Sequence, residues 1–247
     1  LRTTKRDFPY YSGDPVEISG RGWVVIMAAL ALAFAQLALV QLKAFPLNFF
    51  QAILFTGLPI LAVVLVTRRP PTPLFRPIGA KGLAQAIGFG LLTVVTSMIV
   101  GVIMSQLMNL APNASVADLA AATLPDLLLF LARTFIQLVG EELITILPFL
   151  AVLWLCVTRL GLSRKAGLIL GFVVSTLLFC ALHLPTYDWN LLQCLGTIGS
   201  ARIILTFAYV TTRNLWVSAT AHVVNDWSLF LMSYAGGHLP IGAEDVG

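Results

Sequence analysis

Apolar runs long enough to cross a bilayer recur along almost the whole of this chain, and they leave it few ways to fold. A spanning helix needs about 20 apolar residues. Runs of that order stand at 23–42, 49–67, 82–110, 127–157, 166–184, 191–212 and 215–234. Inside lipid the backbone must satisfy its own hydrogen bonds, so seven such runs predict helices packed on helices. The run 127–157 is too long for one upright helix at about 1.5 Å per residue. It is either strongly tilted or broken in two, and Pro148 marks the place for a break. The expected fold is therefore all-α, a polytopic membrane helix bundle of seven transmembrane helices, or eight if the long segment divides. Only 11% of the 247 residues are charged, against about 25% in a water-soluble domain. That polar fraction is too small to cover a soluble globule, so the bilayer is the expected solvent of the outer face.

One membrane domain, 22–235, is expected between a polar N-terminal segment, 1–21, and a short polar tail, 236–247. The polar start and the length of the first run predict a retained span rather than a cleavable signal peptide. The net charge is +4, but the basic residues cluster at the ends of the apolar runs. That pattern sets topology and argues against nucleic-acid binding. Arg68, Arg69, Arg76 and Lys81 place the loop after the second run in the cytoplasm. Alternation then puts the N-terminus inside, with Arg2, Lys5, Arg6 and Arg21. It also puts Arg159, Arg164, Lys165 and Arg213 inside, if the long segment crosses once. The loop 111–126 and Asp188 fall outside. The setting this implies is a multi-pass protein of a bacterial or archaeal inner membrane. Cys156, Cys180 and Cys194 lack metal-ligand spacing and read as small embedded residues.

Ionisable groups within spans are costly and are functional candidates by default. Here they are few: Glu141, Glu142, His183, His222 and Asp226, with Arg133 and Arg202 the basic residues well inside apolar runs. His222 and Asp226 are four apart and share a helix face, as do Phe179 and His183. Glu141 and Glu142 diverge by about 100°, so at most one aims at a common centre. Two adjacent carboxylates in a poorly solvated site resist joint ionisation, which suits one of them to general-base work. A histidine beside them could share a proton and hold a water. A second histidine with an Asx residue could meet an oxyanion. This set points to amide hydrolysis by an activated water. The structural alternative is a carboxylate pair neutralised by Arg133 or Arg202 that ties helices together.

The order Glu141-Glu142, Phe179-Cys-Ala-Leu-His183 and His222-Val-Val-Asn-Asp226 resembles the CPBP family, also called the Abi or CAAX-protease and bacteriocin-processing family, over residues 127–234. The resemblance implies an eight-helix intramembrane fold and a glutamate-dependent peptidase acting on a peptide or membrane-anchored protein at the lipid bilayer. It implies Glu141 as the base, His183 as its partner, and His222 with Asp226 on the oxyanion side. A metal-free mechanism is expected, with zinc on Glu141, His183 and His222 as the alternative. Two positions depart from the family pattern. Ile146 stands where an arginine is usual, so Glu142 needs another partner, Arg133 or Arg202. Asp226 stands where asparagine is common, and Asn225 is expected to point elsewhere. A catalytically silent relative that binds a peptide, or acts in immunity or as a scaffold, is the alternative function. No His-Glu-x-x-His, Gly-x-Ser-x-Gly or Gly-x-Gly-Asp signature occurs.

Overall fold

The computed structural model describes residues 7–40, 42 and 44–238, except the side chains of residues 114 and 115. Arg2, Lys5, Arg6, Lys43 and the tail from residue 239 lie outside the described residues. The long helices are α1 (Gly20–Leu39), α2 (Leu47–Thr67), α3 (Ala80–Leu107), α5 (Leu124–Trp154), α6 (Arg164–Leu182), α8 (Gly199–Thr212) and α9 (Leu215–His238). Two short pieces, α4 (Ala114–Ala117) and α7 (Leu191–Gln193), complete the set, and no strand occurs among the described residues. Six segments are long and apolar enough to cross a membrane, with α7 and α8 forming one of them, Leu191–Thr212. The seventh expected span, α9, is long enough but falls outside that set. Its polar residues Ser218, His222, Asn225, Asp226 and Ser228 lower its hydropathy.

The long segment is not divided. Helix α5 runs unbroken through Pro148 and winds on as a π-helical turn, Leu155–Arg159. The expectation of a break beside the carboxylates is therefore corrected. Pro148 is buried among neighbouring helices, a setting in which a transmembrane proline can be accommodated. The start of α5 also lies earlier than expected. Thr123 and Asp126 form a reciprocal capping box with a proline in the first turn, so Asp126 is helical rather than part of the loop. Where the other spans bury 17–39% of their apolar windows inside the protein, α5 buries 78%. It is the central post, packed by α1, α2, α6, α8 and α9. Gly140 permits the tightest approach on it. A Cβ there would lie 2.5 Å from Phe55 Cδ1 and 2.7 Å from Thr56 Oγ1 on α2.

The N-terminal segment, expected to be polar, packs on the bundle through its apolar residues. Its described part buries Phe8, Tyr10, Tyr11 and Ile18 against the end of the bundle. Phe8 meets Phe149 and Tyr209 at ring centroid distances of 5.5 and 6.0 Å. Trp154 Nε1 donates to Glu17 at 3.1 Å, and Arg164 pairs with Asp7. Burial pushes the Asp7 carboxyl up, but Arg164 and the Tyr11 hydroxyl outweigh it and hold the group below the ordinary range. At the same end Asn214 accepts from Arg76 N and donates to Arg76 O, tying the α2–α3 loop to the α8–α9 turn. Gly236, Gly237 and His238, expected in the polar tail, are helical.

Candidate active site

The five sequence-predicted residues come from three elements. Glu141 and Glu142 lie midway along α5, His183 caps the end of α6, and His222 and Asp226 share a face of α9. Glu141, His183, His222 and Asp226 line one cavity of about 610 Å³, whose wall also holds Arg133 and Asn225. Pro112, Asn113 and Tyr187 belong to its lining, so it reaches the end of the bundle opposite Arg68, Arg76, Arg159 and Arg213. A smaller cavity of about 100 Å³, walled by Phe34, Leu37 and Leu182, approaches Glu141 and His183 from the α1 side.

Glu142 is turned away from the cavity and is fully buried. Its two oxygens accept from Arg202 NH1 and NH2 at 2.6 and 3.1 Å, a two-pronged charge-assisted pair. Arg202 is itself fully buried. Its Nε donates to Thr206 Oγ1 at 3.0 Å, and Phe179 lies under its guanidinium at 5.1 Å. So Arg202, sixty positions along the chain, supplies the partner that Ile146 cannot. Glu142 Oε1 also lies 3.0 Å from His222 Nδ1. An ionised carboxylate can only accept, so Nδ1 carries the hydrogen and Nε2 is the nitrogen turned toward the cavity. Nε2 stands 3.8 Å from Glu141 Oε2 and 3.6 Å from Asp226 Oδ1.

Glu141 keeps 14% of its side chain exposed and accepts from Gln137 Nε2 at 2.9 Å. Gln137 Oε1 in turn accepts from Arg133 NH1 at 2.9 Å. His183 is anchored by Nδ1 donating to Phe179 O at 2.8 Å, leaving Nε2 as its acceptor. It has no direct hydrogen bond to Glu141 among the described residues, and His222 is the imidazole placed within ion-pair distance. Phe179 packs on both imidazoles, with its ring centroid 4.4 Å from that of His183 and 6.2 Å from that of His222. Asn225 corrects the expectation made for it. It is buried on the cavity wall, donates to Asp226 Oδ1 at 2.9 Å and accepts from Ser97 Oγ at 3.3 Å. No group of three or more His, Cys, Asp or Glu side chains among the described residues is disposed to hold a metal ion. Glu141, His183 and His222 therefore do not form a ready ligand cage for zinc.

Fold and site together define a multi-pass membrane protein with a polar, carboxylate-and-histidine cavity sunk in a helix bundle. Residues 122–228, which hold Glu141, Glu142, His183, His222 and Asp226, match the family model for type II CAAX prenyl endopeptidase Rce1-like. Through that stretch, under half of the chain, the protein is similar to the CAAX-protease-type membrane peptidases of the CPBP (Abi) group. No curated protein and no solved structure matches the chain.

Proposed function

We propose that the chain is an intramembrane endopeptidase that hydrolyses a peptide bond of a membrane-associated protein or peptide with a water activated by Glu141. The observation that carries this reading is the unequal placement of the two carboxylates. Glu142 is consumed by Arg202 and His222, whereas Glu141 faces the cavity with its Oε2 beside His222 Nε2. Glu141 takes a proton from water as the oxygen attacks the carbonyl carbon, then returns it to the departing amine nitrogen. The Nε2 acceptors of His183 and His222 orient the water. The second amide hydrogen of Asn225 meets the oxyanion, on the α9 wall where the family resemblance puts that function. Asp226 holds Asn225 and flanks His222.

The basic residues gather at the end sealed by the N-terminal segment, which supports a cytoplasmic N-terminus by the positive-inside rule. The cavity then reaches the outer half of the membrane. The test is to compare wild-type and Glu141→Gln protein in native membranes, by mass spectrometry of new peptide termini, with and without a chelator. Termini that vanish in the variant and survive chelation fit the proposal. Termini lost to chelator in the wild type would assign the step to a metal. Termini unchanged by the substitution in a folded variant would leave a silent peptide-binding relative as the function.

A further inference from the structure

The connection between α3 and α5 crosses the mouth of the main cavity. Its residues Pro112, Asn113, Val116 and Ala117 line that cavity, and the hydrolytic mechanism uses none of them. Both ends of the connection are clamped. At one end Ala111 N donates to Gln193 Oε1 and Ala111 O accepts from Gln193 Nε2, each at 2.9 Å, and Gln193 is buried. At the other end Thr123 and Asp126 form the capping box that starts α5. Residues 112–122 are thus a strap between two fixed points.

The strap itself is held lightly. Its helical pieces, α4 and a 3₁₀ turn at Asp118–Ala121, are four residues each, too short to persist without packing. Ser233 Oγ on α9 donates to Val116 O at 2.8 Å, and Asn113 Nδ2 donates to the Tyr187 hydroxyl at 3.5 Å across the mouth. Among the described side chains of the strap, Leu119 alone is buried. It seats among Leu127, Leu131, Phe130, Trp227 and Phe230. Phe130 and Phe230 also line the cavity, so the seat of Leu119 and the cavity wall share the same rings. Beyond Leu119 the strap rests on bare backbone, since a Cβ at Gly237 of α9 would collide with Ala120 O. A segment with firm ends, one apolar plug and few interlocking side chains opens at low cost.

From this geometry we infer that residues 112–122 are a hinged lid over the cavity mouth, and that an extended peptide segment on the non-cytoplasmic face enters beneath it. The inference rests on the peptidase reading and on the cytoplasmic N-terminus proposed above. The substrate class it names is a peptide or juxtamembrane tail exposed on the outer face of the membrane, rather than a cytoplasmic one. Lifting Leu119 from its seat frees Phe130 and Phe230 to swing away from the mouth. Reseating it closes the cavity over the bound chain and keeps bulk water from the reacting centre.

The test uses the full chain in sealed vesicles of either orientation, in a Cys180→Ala, Cys194→Ala background. Ala201→Cys on the cavity wall is the reporter, and Cys156, buried at the other end of α5, stays as a control. A charged, membrane-impermeant maleimide is added from outside. The reporter should react from the non-cytoplasmic side. Leu119→Ser should speed that reaction on the order of tenfold, and the milder Ser233→Ala should speed it less, with Cys156 unlabelled in both. Equal reporter rates in all three proteins, labelling from the cytoplasmic side, or a matching gain at Cys156 in both variants overturns the inference. In the same background without the reporter, Val116→Cys with Ser233→Cys should form a disulfide that lowers peptide cleavage on the order of tenfold or more until it is reduced. Unchanged cleavage with the cross-link formed overturns entry beneath the lid. Should the wild type cleave nothing that Glu141→Gln does not, the peptidase reading fails and substrate entry falls with it. The labelling rates then decide the lid by themselves, faster in Leu119→Ser as the supporting result and equal as the contrary one.

Discussion

Glu141 and Glu142 are neighbours in sequence, yet they occupy two different solvents. Glu142 sits in a dry knot, both oxygens on Arg202 and one on His222. Glu141 looks into a cavity, and between it and the nearest guanidinium on its own helix stands a glutamine amide. One carboxylate is neutralised by a direct ion pair, the other by nothing stronger than an amide and a distant cation. The lesson is that a helix of 3.6 residues per turn can assign scaffold and chemistry to consecutive positions. The knot also fixes the tool, because Glu142 holds His222 by Nδ1 and so aims Nε2 at Glu141.

The largest effect expected from breaking this asymmetry is on turnover. Glu141→Gln should lower the cleavage rate on the order of 10²–10⁴-fold, the usual worth of a positioned general base, with little change in thermal stability. Removing the other half of the comparison should act on the fold. Arg202→Met leaves Glu142 buried without its partner and should cost about 3–5 kcal/mol, read as a fall in melting temperature in detergent. The double variant Glu142→Leu with Arg202→Met should recover much of that loss, since no charge is then stranded. If the double variant is as unstable as the single, stranded charge is not the cause.

Smaller effects sharpen the picture around Glu141. Gly140→Ala would drive a methyl against Phe55 and Thr56, and Thr56 Oγ1 donates to Ile136 O at 2.6 Å. Overpacking there should cost about 1–3 kcal/mol, measured by the same melting curve. The smallest effect lies farthest away, where Asp7 pins the N-terminal segment to Arg164. Its carboxyl is held below the ordinary 3.8, so its contribution is present above that value and fades as pH falls through the lower folded pKa. Asp7→Asn should remove this pH dependence, at a cost of under about 1 kcal/mol for a partly exposed pair. Trp154, which donates to Glu17 in the same segment, reports the undocking by fluorescence. An unchanged acid profile in Asp7→Asn would place the dependence elsewhere.

Much of this was legible from the residues. Apolar runs of bilayer length and charges at their ends announce the helices and their order. Carboxylates and histidines inside those runs announce the cavity, because lipid tolerates them nowhere else. What the sequence could not show was pairing across the bundle. Arg133 and Arg202 were equal candidates for Glu142, and only packing brings Arg202 of α8 against α5. Pro148 read as a breaker because local rules ignore the neighbours that support it. Asn225 was assigned away from Asp226 on helical angle alone, yet the cavity is wide enough to admit both. The segment around Phe8 was read as polar by average composition, although Phe8, Tyr10 and Tyr11 carry enough apolar surface to dock. The capping box at Thr123-Leu-Pro-Asp126 was readable and would have placed the start of α5.

The most direct test of the division between the two carboxylates is to measure melting temperature and peptide cleavage together on purified Glu141→Gln and Glu142→Gln. The account predicts a wild-type melting curve with cleavage lowered on the order of 10²–10⁴-fold for Glu141→Gln, and a lowered melting temperature for Glu142→Gln, where Arg202 is left with a neutral amide. A folded Glu141→Gln protein that cleaves at the wild-type rate would contradict it.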